Sequence, residues 1–156
     1  MTKNEKMLNA AINQAYNSNI NIRHGAVITK GSKIICKGFN NSRSRIKSLN
    51  NLELCTHAEI DVVRKLYNLI LSKKNKSKKY NLRKYTIWVA RISQGDKGNT
   101  LYSAPCNKCI SFLRKMGFYK VGFSDHMGNP TVVKIDKFNN SHLSDAQQSL
   151  VNFKDF

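Results

Sequence analysis

With 156 residues the chain can bury one substantial core but not two, and its 40% hydrophobic residues include no run near the roughly 18 that a bilayer-crossing helix needs, which excludes a membrane span. The 27 Lys and Arg against 9 Asp and Glu leave a net charge of +18, which attracts polyanions such as nucleic acid or phosphorylated substrates; a composition rich in Lys, Asn and Ile yields the same charge without selection for binding. The opening "MTKNEKMLNAAINQAY" lacks the basic, apolar, small-residue order of an export signal, so an intracellular, cytoplasmic setting is expected, without disulfides among Cys36, Cys55, Cys106 and Cys109.

Taken in chain order, residues 4 to 17 read as a helix, with Leu8, Ala11, Ile12 and Ala15 on one apolar face. "HGAVITK" and "KIICKGFN", joined across "KGSK", read as a β-hairpin, followed by the polar loop "NSRSRIKSLNN". A second helix is predicted from Thr56 to about Leu71, burying Ile60, Val63, Leu66, Tyr67 and Ile70. The basic segment that follows, through residue 84, reads as a solvated connection or a nucleic-acid contact. "YTIWVARIS" is the next strand, and "QGDKGN" is a loop leading to Pro105, which opens a helix that runs to Met116 and stops at Gly117. "KVGFS" and "TVVKI" are strands joined too tightly by "DHMGNP" for a parallel crossover, so they form an antiparallel hairpin, and residues 142 to 150 are expected to close the chain as a helix. The order gives an α/β domain over residues 1–156, a mixed sheet packed with helices.

Two short motifs carry the chemistry: "THAEI" at 56–60 and "APCNKC" at 104–109. Both fall at helix N-termini, where unpaired N–H groups and the helix dipole favour thiolates at Cys106 and Cys109. With His57 they make a Cys2His donor set for Zn2+ that leaves the fourth tetrahedral position open, the arrangement of catalytic zinc. Glu59 is then the nearby carboxylate that takes a proton from water and passes it to a leaving amine. Two other readings fit the same letters: Thr56 and Glu59 as a helix capping box, and Cys55 as a fourth ligand that closes a Cys3His structural site in a non-catalytic nucleic-acid-binding module.

His57-Ala58-Glu59 followed by Pro105-Cys106-x-x-Cys109 resembles the zinc signature of the cytidine and deoxycytidylate deaminase superfamily. The run "HGAVITKGSKIICKGFN" is similar to that family's first hairpin, so the resemblance covers most of the chain. It implies a three-layer αβα cytidine deaminase-like fold, with a mixed five-stranded sheet and helices on both faces. It further implies zinc held by His57, Cys106 and Cys109, proton transfer by Glu59, and substrate contacts from Asn40, Ala58, Ser103 and Pro105. The reaction so implied is hydrolytic deamination of cytosine on a nucleotide or a single-stranded nucleic acid, with adenosine- or guanine-type deamination as the variant that shares the metal chemistry. Homo-oligomeric assembly is implied as well. Tyr102, Phe39 and Trp88 are aromatic residues that serve either to stack a base or to fill the core. The departures are a longer gap between the motifs, and a His first ligand, unlike the free-cytidine branch, beside a strand pair like that of nucleoside and toxin-like deaminases.

Overall fold

The computed structural model describes residues 1–42, 56–72, 81–95 and 98–138. The first helix, α1 (Lys3–Ala15), starts at a capping box: the Thr2 hydroxyl accepts from Glu5 N at 3.2 Å while the Glu5 carboxylate accepts from Thr2 N. Its helical spacing buries Met7, Leu8, Ala11 and Ala15. Strands β1 (Arg23–Lys30) and β2 (Lys33–Phe39) form the expected hairpin, α2 spans Ala58–Ser72, and β3 spans Tyr85–Ile92. After β4 (Thr100–Leu101) come α3 (Asn107–Met116), β5 (Lys120–Ser124) and β6 (Pro130–Lys134). The closing helix expected at 142–150 lies outside the described residues, as do most of the basic connection and of the polar loop before Thr56.

The strands lie in the order β2-β1-β3-β5-β6, with β4 beside β3. β3 and β5 pair in parallel, and α3 lies in the crossover that such a pair requires. β5 and β6 pair antiparallel from Lys120↔Lys134 to Ser124↔Pro130. The sheet has six strands where five were expected, because β4 folds back on the end of β3 through two register pairs, Arg91↔Leu101 and Ile92↔Thr100. Two residues are too few to show an alternating pattern in sequence.

Each face of the sheet carries its own core. Val27, Trp88 and Ala90 point to α1, whereas Ala26, Ile28, Ile87, Val89, Val121 and Phe123 point to the other face, where Val62, Val63 and Leu66 of α2 and Ile110 and Leu113 of α3 cover them. Trp88, 3% exposed, is therefore core and stacks on no ligand. The stripe expected on α2 is rotated: Ala58, Glu59, Val62, Val63 and Leu66 are buried, Ile60 is partly so, and Tyr67 is 39% exposed. At about 100° per residue, Leu66 and Glu59 fall at the centre of the buried sector and Tyr67 at its margin. A carboxylate thus occupies a position that an apolar count skips.

Two glycines set how closely the helices approach. A Cβ on Gly25 would lie 2.0 Å from Ala11 O and 2.4 Å from Ala15 N of α1, and one on Gly38 would lie 2.9 Å from Val62 N of α2 on the opposite face. These are the glycines of the "HGAV" and "KGFN" runs. Gly25→Ala is expected to lower stability by about 3 kcal/mol or more, the upper end for overpacking, since helix backbone has no flexible tip to move aside. A urea midpoint near that of the wild type would show that α1 does not press on β1 this closely. No helix among the described residues is long and apolar enough to cross a membrane.

Candidate metal centre and active site

Backbone pairing delivers His57 to the site. Asn41, just past β2, exchanges hydrogen bonds with Thr56 (Asn41 N to Thr56 O 3.1 Å, Thr56 N to Asn41 O 2.8 Å), and the His57 carbonyl then accepts the first helical bond from Asp61 N at 3.0 Å. His57 is thus the residue that caps α2. Glu59 stands second in the helix, one place short of the capping-box position, with Thr56 tied to Asn41 instead. On α3, Cys106 is the N-cap in extended conformation (φ −67°, ψ 164°), its carbonyl accepting from Ile110 N at 2.9 Å, and Cys109 lies in the first turn at 1% exposure.

These two helix starts meet. His57 Nδ1 is 3.2 Å from Cys109 Sγ and 3.9 Å from Cys106 Sγ, and the three donor atoms all lie within 4.8 Å of one another. Around a tetrahedral zinc with ordinary Zn–N and Zn–S bonds, an imidazole nitrogen and a thiolate sulfur sit ~3.6 Å apart, a value the two observed distances bracket. The donor set and its spacing fit Zn2+. The Cys106 thiol is lowered to about 4, first by its hydrogen bond with the Cys109 side chain and then by His57, against the opposing effect of burial. Burial pushes the Glu59 carboxyl up, with His57 opposing and the Cys106 thiolate reinforcing the rise. Among the described residues no further His, Cys, Asp or Glu joins the donor group; Cys55, the fourth ligand of the structural-zinc reading, lies outside them.

Asn40, 5% exposed, hooks the end of β2 to the start of β1: its Oδ1 accepts from His24 N at 2.9 Å and its Nδ2 donates to Ile22 O at 2.7 Å. A carboxamide has two donors and two acceptor lone pairs, so half its capacity is left after these bonds. The Ser103 hydroxyl, by contrast, is held within the protein. It donates to Val89 O at 2.8 Å, accepts from Ser124 N at 2.9 Å and lies 2.7 Å from Ser124 Oγ, while Ser103 N donates to Ser124 O at 3.1 Å. This knot ties the chain just before Cys106 to β3 and β5. Ala58 is fully buried in the α2 core and Pro105 is buried one residue before Cys106. Tyr102 stacks on His126 with ring centroids 4.1 Å apart, and Phe39 lies under Lys65 Nζ at 5.3 Å. Ser124 and Arg91 escape the sequence patterns. An arginine inside an otherwise apolar strand was the available signal for the second, and nothing in the sequence marks the first.

The model of the family described as the cytidine and deoxycytidylate deaminase zinc-binding region matches residues 1–125. The chain belongs to this family, and so to the hydrolytic deaminases of cytosine-type substrates. Among solved structures it is similar to cytidine deaminase from Burkholderia pseudomallei, at 19% identity and TM-score 0.59 over 92% of this chain and 100% of that one. It is also similar to dCMP deaminase from the cyanophage S-TIM5, at 19% identity and TM-score 0.53 in the apo form, over 78% of this chain and 81% of that one. The same cyanophage enzyme in complex with dCMP and dUMP aligns with TM-score 0.52 at 19% identity, over 77% of this chain and 79% of that one. At this identity the likeness shows the shared fold. No curated protein sequence matches the chain.

Proposed function

We propose that the protein replaces the exocyclic amine of a cytosine base, carried on a nucleotide or a nucleic-acid strand, with oxygen from water. The observation that carries the reading is the meeting of three zinc donors with a carboxyl, Glu59, only 4% exposed at the centre of the buried stripe of α2. His57, Cys106 and Cys109 hold Zn2+, which when bound supplies Lewis acidity toward water. Glu59 accepts a proton as the new C–O bond forms and delivers it to the amine as the C–N bond breaks, so ammonia leaves and one water is consumed. A carboxyl shifted upward by burial suits both halves of that exchange. Asn40, with half its amide capacity left, bonds the sugar or the base. With the hydroxyl and amide of Ser103 engaged, its carbonyl is the group left to meet substrate. The family match over residues 1–125 supports reading residues 1–156 as a single deaminase domain.

The test is zinc analysis of the purified protein together with ammonia release from cytosine, cytidine, CMP, dCMP, single-stranded RNA and DNA, and adenosine and guanine counterparts. One zinc per chain and ammonia from a cytosine-bearing member are expected. A zinc-free protein, or ammonia from none of the panel, overturns the reading. The +18 charge makes salt informative: affinity for a polynucleotide should fall steeply with salt, so a flat response excludes the strand and leaves the nucleotide. Sedimentation of the same sample tests the homo-oligomer that the resemblance implies.

A further inference from the structure

Arg91 stands on β3 among apolar residues, and strand alternation places it with Ile87 and Val89 on the sheet face covered by α2 and α3. Its antiparallel partner His24 shares that face with Ala26 and Ile28. His24 N is bonded to Asn40 Oδ1, and Asn41 is paired to Thr56, the residue before His57. Arg91, His24, Asn40 and the metal donors are therefore gathered at one end of one face of the sheet.

Arg91 is partly buried, its Nε is buried with no hydrogen-bond partner, and among the described residues its guanidinium makes no hydrogen bond or ion pair. Three of the other described arginines are engaged with the protein. Arg23, on the opposite face, donates to Ser93 O at 2.6 Å and Gly95 O at 2.7 Å, Arg114 donates to Ile135 O at 3.2 Å, and Arg83 lies over the Tyr119 ring at 4.4 Å. A guanidinium cannot shed its proton, so an unpartnered one, partly withdrawn from water in a chain of charge +18, is unfavourable until an anion meets it.

We infer that Arg91 binds a phosphate of the substrate and so selects phosphorylated cytosine carriers over free cytidine. This rests on the function proposed above and narrows its substrate. Cytosine and a pentose are neutral, and phosphate is the anion that such a substrate brings. Its oxygens match the guanidinium fork, whether as the monoester of a mononucleotide or the diester of a strand.

The experiment compares wild type, Arg91→Ala, Arg91→Gln and Arg91→Lys, all zinc-loaded, in steady-state deamination of cytidine, CMP, dCMP and a cytosine-containing oligodeoxynucleotide. Calorimetry measures the binding of the non-reacting pair UMP and uridine in parallel. Wild type should favour the phosphorylated member of each pair. Arg91→Ala and Arg91→Gln should raise KM for it by about 10- to 100-fold, leaving kcat/KM for cytidine unchanged. Arg91→Lys should recover part of the loss, since it keeps the charge but not the fork. The CMP, dCMP and oligonucleotide arms show which phosphate is read. Equal UMP and uridine affinities in wild type, or equal losses on cytidine and CMP in the variants, would overturn the inference. Failure of every cytosine substrate with wild type would instead overturn the proposed reaction, while the UMP-to-uridine ratio still decides whether Arg91 reads phosphate. If the alanine variant does not fold, the glutamine and lysine variants carry the comparison.

Discussion

Glu59→Gln is expected to keep its zinc and its fold while turnover falls by about 10²- to 10⁴-fold, the range for loss of a general acid–base group. Glutamine has nearly the same shape as glutamate but cannot exchange a proton at neutral pH. The residue is 4% exposed, and burial holds its carboxyl above the ordinary carboxylate range, so the folded protein bears a desolvation cost at this position. Removing the ionisable group should therefore leave thermal stability equal to or above that of the wild type, the pattern of a residue held for activity at the expense of stability. Zinc content, ammonia release and the urea midpoint of the same preparation decide the matter. Retained turnover with a lowered midpoint would make Glu59 a structural anchor of α2.

Cys109→Ser should fail to retain zinc through desalting and should lose turnover altogether. A serine hydroxyl does not ionise near neutral pH and is a harder donor than a thiolate, so the replacement leaves two protein ligands where three stood. Outer partners of a ligand alone shift metal affinity by 10- to 100-fold, and loss of a ligand is expected to exceed the upper end, on the order of 100-fold or more. A metal held by His57, Cys106 and Cys109 would tie the start of α2 to that of α3, so added zinc should raise the melting temperature of the wild type but not of Cys109→Ser. Cys36→Ser is the control: Cys36 is buried in the core apart from the donor group, and its replacement should reduce stability without affecting zinc. Zinc loss from both variants would detach the metal from the His57, Cys106 and Cys109 cluster.

Much of this could be read from the letters. β-rich runs locate β1, β2, β3, β5 and β6, and the connection "DHMGNP" is too short for anything but an antiparallel pair, as found. "THAEI" and "APCNKC" name the donors because zinc chemistry demands those residue types, and a helix start is where a thiolate is favoured. Ile60 is buried only in part, and the expectation that Tyr67 belongs to the buried stripe of α2 failed for an instructive reason. Counting apolar residues draws the stripe away from Glu59, which is buried at its centre. The family resemblance implies Ser103 as a substrate contact, and the structure shows its hydroxyl held by Val89 and Ser124, from strands distant in sequence. Arg91 shows in the letters only as an arginine within the apolar run of β3, and its place opposite His24 is set by the strand pairing.

The sequence by itself located the first three helices and the five longer strands, and it singled out His57, Cys106 and Cys109 as candidate donors, because each depends on side-chain type and near-neighbour spacing. Only the tertiary structure decided that His57 meets Cys106 and Cys109, that Glu59 is buried beside them, and that Arg91, on the face they share, has an Nε without a hydrogen-bond partner among the described residues. Those facts are set by the order β2-β1-β3-β5-β6 and by the pairing of Asn41 with Thr56, contacts between segments whose separation along the chain carries no local signal.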